Sequence, residues 1–138
     1  HVYHTTMPTD ALVRNREMMA RTRDAGFEAL REAQWSLGRQ VRAALEARGF
    51  PPVAAPGFQA PGVVVSHTTD DGLHTGKAFI AQGLQSASGV PLQCDEGPDF
   101  KTFRLGLFGL EKWQNVERTV STFTAALDRA LGAHQAAA

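Results

Sequence analysis

The sequence predicts an α+β fold: a two-layer small domain with a mainly antiparallel sheet of three or four strands and helices on one face. Three observations carry this. Short β-branched or alternating runs at Val63-Val64-Val65-Ser66 and Phe103-Arg104-Leu105-Gly106-Leu107 read as strands. Longer segments with apolar residues at steps of three and four separate and flank them. The links between are short and rich in Gly and Pro, compatible with antiparallel neighbours. A chain of 138 residues suits one domain with one core, spanning 1–138.

In order, His1 to Pro8 reads as an extended lead-in, with Thr9 or Asp10 available to cap a helix from about Ala11. Its Tyr3, Thr5 and Thr6 read as a polar terminus with a capping threonine. Ala11 to Arg48 contains no proline and is rich in helix formers, predicting one long helix or two joined near Asp24 to Gly26. Phe27, Leu30, Leu37, Val41, Ala44 and Leu45 line one apolar face, and Gly49 before Pro51 supplies the stop. Arg14, Arg16, Arg21 and Arg23 interleave with Glu17, Asp24, Glu28 and Glu32, the pattern of a solvated helix face and not of a nucleic-acid stripe. Trp35 lies off that line, suited either to a subunit contact or to helix packing.

Pro51, Pro52, Pro56 and Pro61 make Phe50 to Gly62 a loop. Val63 to Ser66 follows as a strand, and Thr69-Asp70-Asp71-Gly72 as a turn. His74 to Ser88 is predicted helical with Phe79, Ile80 and Leu84 inward. Gly89 ends it, and Val90 to Cys94 is predicted as a strand, with Pro91 suiting an edge. Asp95 to Lys101 is a connector. Glu111 to Gly132 is the last helix, with Val116, Val120, Phe123, Leu127 and Leu131 inward, before an Ala136-Ala137-Ala138 end that frays.

Composition excludes several functions. Fourteen basic and fourteen acidic residues balance, so the broad positive field of a nucleic-acid binder is absent. One cysteine, Cys94, precludes an internal disulfide, and the histidines are too scattered for metal-ligand spacing, which points to a cytoplasmic protein. No apolar run nears the roughly 20 residues of a membrane span, and no signal peptide is legible. No serine sits in a nucleophile elbow, the glycines form no phosphate loop, and Cys94 on its predicted strand reads as packing. A start at His1 suggests a processed product or a piece of something longer.

The informative residue is Arg104. Strand alternation turns it away from Phe103, Leu105 and Leu107, and a guanidinium among apolar residues must find an anion or reach water. A salt bridge, an exposed edge and a ligand-binding role all satisfy that demand.

Phe103 to Gly109, followed by Leu110-Glu111-Lys112 and a helix through Asn115-Val116-Glu117-Arg118-Thr119-Val120, resembles the end of a fold-type I, class V pyridoxal-phosphate aminotransferase of the alanine/serine-glyoxylate type. Three further segments resemble that family, in the expected order. They are Tyr3-His4-Thr5-Thr6-Met7-Pro8, the stretch from Gly57 through Phe58-Gln59-Ala60-Pro61-Gly62 to Ser66, and Gly89-Val90-Pro91-Leu92-Gln93. The resemblance implies the C-terminal small domain of a transaminase that moves an amino group between alanine or serine and glyoxylate or pyruvate. It implies that Arg104 grips the substrate carboxylate, and that Tyr3 and Thr6 reach the cofactor phosphate of the other subunit of a homodimer. It also implies pyridoxal 5'-phosphate as cofactor in the full-length enzyme. The Schiff-base lysine and its acidic partner belong to a large upstream domain absent here, and Lys77, Lys101 and Lys112 lie in none of the family's settings. The chain alone is therefore expected to be inactive. The rival expectation is a stand-alone, non-catalytic module that dimerises or binds a small acid.

Overall fold

The computed structural model describes residues 6–135, and the side chains of 6–132. The expected extended lead-in before Thr6, Tyr3 included, and the expected fraying of Ala136 to Ala138 lie outside the described residues.

Two helices open the chain, α1 (Thr9–Ala25) and α2 (Phe27–Glu46). Their junction is Gly26, whose φ of +86° an L side chain rarely adopts, so the second of the two sequence readings holds. Neither Thr9 nor Asp10 caps α1. Pro8 takes the cap position without a side-chain hydrogen bond, and both residues lie inside the helix. α2 carries the core face, with Leu37, Val41 and Leu45 fully buried, while Phe27 is exposed because it stands at the first turn, beyond the reach of the sheet. At the far end Gly49, at φ +82°, turns the chain back so that Phe50 donates to the Leu45 carbonyl.

The sheet has the order β1 (Val63–His67), β3 (Thr102–Gly106), β2 (Ala87–Ser88), all antiparallel. β3 is central, with Val65 and Ala87 opposite Arg104 on its two sides. The outer edge of β1 is covered by the proline segment: Val53 donates to Val65 and His67 donates to the Pro51 carbonyl.

Between β1 and β2 the predicted long helix breaks into two single turns, α3 (Asp71–His74) and α4 (Lys77–Ile80). Asp70, expected in a turn, caps α3 by accepting from the Leu73 amide at 2.7 Å. Gly76 at φ +77° then reverses the backbone before α4. Phe79 is buried against Phe103, but Ile80, expected inward, is 62% exposed because one turn of helix has only one inner side. The strand expected at Val90 to Cys94 is not formed. Pro91 has no amide to donate, and the amides of Leu92, Gln93 and Cys94 turn to the Glu96 carboxylate instead. Cys94 is consequently exposed in a loop and not packed on a strand.

After β3 come a single turn α5 (Leu110–Trp113) and the long α6 (Val116–Gln135). The expected continuous helix is interrupted at Asn115, whose side chain accepts from the Arg118 amide and restarts it. Phe123, Ala126, Leu127 and Ala130 are buried on its inner side. All the helices that reach the core pack on the side of Phe103, Leu105 and Leu107, giving the two layers. Among the described residues no helix is long and apolar enough to cross a membrane.

Candidate functional site

With the helices gathered on one side, the other face of the sheet is left open, and Arg104 stands in its middle. Fully buried Phe103 and nearly buried Leu105 bracket it on the core side. Arg104 itself is half-buried. Its Nε donates to the Ser88 carbonyl at 2.9 Å, a bond to the neighbouring strand that fixes the plane of the guanidinium. No carboxylate among the described residues pairs with it. Of the three ways to satisfy this charge, the internal salt bridge is therefore not used. The terminal nitrogens of a planar, permanently charged fork remain for water or a ligand.

The surroundings are mostly apolar. Val63, Val65 and His67 alternate onto this face from β1, each half-buried. The His67 ring meets Phe100 edge to face at 5.4 Å. At the other end Phe108, 58% exposed, lies over the bare backbone of Gly62, where a Cβ would stand 2.5 Å from its Cε1. A guanidinium flanked by aliphatic and aromatic side chains suits a small carboxylate, because the apolar flanks keep water from competing for the charge.

Other side chains hold this strand in place, and the sequence reading missed them. Trp113 Nε1 donates to Gln34 Oε1 at 2.8 Å and to the Leu107 carbonyl at 3.1 Å, while Gln34 Nε2 donates to the Pro61 carbonyl at 2.9 Å. Buried Arg42 donates to the carbonyls of Ala60 and Val63. Its Nε has no partner, and burial pushes its pKa below the ordinary value. Together these tie α2, the proline loop and the end of β3 into one unit. Gln34 falls on the apolar line of α2, at the step between Leu30 and Leu37, so the sign available for it was a polar residue at an inward position; Arg42, beside Val41, shows no such sign. Gly38 gives another: a Cβ there would lie 2.6 Å from the Pro61 carbonyl oxygen, so the loop reaches α2 only over a glycine.

The remaining candidates stand elsewhere. Thr6 is exposed ahead of α1 and makes no hydrogen bond with the Arg104 face. Lys101 pairs with Asp71 at 2.7 Å, raising its own pKa chiefly through that hydrogen bond. Lys112 pairs with Glu111 at 2.6 Å and donates to the Phe108 carbonyl, and Lys77 is exposed on α4. Among the described residues no group of three or more His, Cys, Asp or Glu could hold a metal ion. The arrangement offers an anion the terminal nitrogens of Arg104, with His67 on the same face two positions along β1 from Val65, the residue opposite Arg104.

No protein-family model matches the chain, and no curated protein matches it. Among solved structures 21 chains match. One is a high-resolution structure of SPT, serine palmitoyltransferase, with a pyridoxal-phosphate internal aldimine. It is 20% identical with a TM-score of 0.50, and the match covers 76% of this chain and 26% of that one. The chain spans about a quarter of that protein's length. At this identity the likeness shows the fold alone, a small α+β fold.

Proposed function

We propose that this chain is the C-terminal small domain of a pyridoxal-phosphate-dependent transaminase, of the class V alanine/serine-glyoxylate type. Arg104 binds the carboxylate of the amino acid or 2-oxo acid. The observation that carries the reading is the half-buried guanidinium of Arg104, tethered through Nε, without an acidic partner among the described residues, on an otherwise apolar open sheet face. A bidentate pair with a carboxylate fixes two oxygens at once and so orients the α-carbon relative to whatever covers this face. The flanking Val65 and the exposed Phe108 limit the space beside it, which favours small side chains such as those of alanine and serine.

Pyridoxal phosphate, when bound, supplies the electron sink for amino-group transfer. In this reading Thr6, with Tyr3, contributes hydroxyls to its phosphate across a homodimer, and the exposed Thr6 hydroxyl is free to do so. Lys101 and Lys112 are held in ion pairs with Asp71 and Glu111, and Lys77 is exposed on α4, so in this reading the Schiff-base lysine comes from a large domain. The chain alone, mixed with pyridoxal phosphate and reduced with borohydride, is then expected to yield no stoichiometric pyridoxyl-lysine. A single fully modified lysine overturns that assignment.

The decisive test is Arg104→Lys in an enzyme that carries this segment together with its large domain. Losing the fork while keeping the charge is expected to lower kcat/KM for alanine and serine about 10²-fold, with cofactor absorbance unchanged. Unchanged kinetics remove Arg104 from the site. A second reading, a non-catalytic module for dimerisation, draws on α1, which buries none of its residues and exposes Leu12, Val13 and Met19. Intact mass of the native product in its source cells separates the two. A species well above the mass of 138 residues favours the transaminase, and one at that mass favours the module.

A further inference from the structure

On the opposite side of β3 from Arg104, a cavity of about 270 Å³ opens between the end of the strand, α5 and α6. Leu84, Leu105, Leu107 and Phe123 line it, together with Thr122 and Arg118, both exposed and so at its solvent side. The cavity exists because β2 is too short. β2 pairs with β3 only at Phe103 and Arg104, so the next stretch of β3 has no neighbour on that edge. Leu107 donates to Gly62 on the β1 side, and antiparallel alternation therefore turns the N–H and C=O of Gly106 toward the vacant edge.

Charge at the mouth is one-sided. Lys112 and Glu111 neutralise one another at 2.6 Å. The guanidinium of Arg118 has only a 3.4 Å contact with the Glu111 carbonyl and no carboxylate partner among the described residues. One uncompensated cation and one backbone donor border a pocket whose floor is aliphatic and aromatic. That chemistry favours an anion over a cation, and a single negative charge over two.

We propose that this pocket binds a small aliphatic monocarboxylic acid. Its tail lies among Leu84, Leu105, Leu107 and Phe123, and its carboxylate lies between the Arg118 guanidinium and the Gly106 N–H. The volume falls near the lower end of ligand sites, which run from roughly 300 Å³, and limits the tail to about six to eight carbons.

The test uses the whole chain with three probes of equal length, octanoate, 1-octanol and octylamine, followed by calorimetry and amide chemical shifts. Octanoate is expected to bind saturably, to shift the Gly106, Thr119 and Thr122 amides, and to bind more tightly than either other probe. Arg118→Gln is expected to weaken octanoate about tenfold while leaving octanol unchanged. Thr122→Trp, which fills the mouth from an exposed position, is expected to abolish both. Both substitutions are at the surface, so the fold is retained. Failure of octanoate to saturate overturns the proposal. So does octylamine binding as well as octanoate, or octanoate affinity unmoved by both substitutions.

Discussion

Phe103 and Arg104 are neighbours in sequence with opposite fates, and the contrast fixes the orientation of β3. Phe103 is fully buried between the rings of Phe50 and Phe79, at centroid distances of 5.6 and 5.4 Å. Phe103→Ala removes both contacts and leaves a cavity in the centre of the core, so a loss of about 3–5 kcal/mol is expected in denaturant unfolding. Arg104→Ala removes one hydrogen bond to a carbonyl on the open face, and about 1 kcal/mol or less is expected. Equal losses would mean that Arg104 is a structural residue. This alternation was legible in the sequence because a strand with one buried face prints its period directly. Buried Arg42 and the Gln34–Trp113 pair were not legible. Gln34 and Arg42 reach carbonyls of a proline loop whose path no local pattern specifies, and Trp113 reaches Gln34 and the Leu107 carbonyl only once α5 is placed beside α2. Gly38 belongs with them: Gly38→Ala would press its Cβ into the Pro61 carbonyl, and a loss of about 1–3 kcal/mol is expected from the shifted loop.

Among the elements, the long helices and the two five-residue strands were legible, and the short pieces between them were not. α2 and α6 present apolar residues over many turns, so one misplaced residue such as Phe27 does not alter the reading. From His74 to Cys94 the same reasoning failed, because Gly76 and Gly83, both at positive φ, and Pro91 decide the path locally. The loop at Leu92 to Glu96 is held by a single group. The Glu96 carboxyl, whose ordinary pKa is 4.5, is held down at about 2 by the amides of Cys94, of Glu96 itself, of Gln93 and of Leu92. A depressed pKa means that the charged form is favoured in the fold. The loop is therefore fully held above about pH 4.5 and released as pH falls toward 2. The Leu92, Gln93 and Cys94 amide resonances are expected to titrate together with a midpoint near 2. A midpoint at the ordinary 4.5 would mean that the carboxylate is not engaged. Glu96→Gln is expected to shift these resonances at neutral pH while leaving those of β1 and β3 in place.

At the scale of the molecule, the core is the work of α2, the sheet and the helices that follow. Among the described residues every buried hydrophobic lies between Leu37 and Ala130. α1 contributes none, although it is 17 residues long and joined to α2 through a single glycine. A helix that leaves no side chain buried gains little from tertiary packing, and an isolated helix of about this length is marginal in water. Removing residues 6–25 is therefore expected to change unfolding stability by no more than about 1 kcal/mol, with the transition still cooperative. The register of β1 against β3 is expected to survive the removal, because the hydrogen bonds of Gln34, Arg42 and Trp113 run to the proline loop, β1 and the end of β3 and not to α1. Amide resonances of Val65 and Arg104 should keep their positions in the shortened chain. A loss above about 3 kcal/mol would require α1 to bury surface that the exposures of Leu12, Val13 and Met19, at 49%, 56% and 65%, do not supply. The outcome also bears on Arg104, since a site whose strand stays in register without α1 is carried by the two-layer core alone.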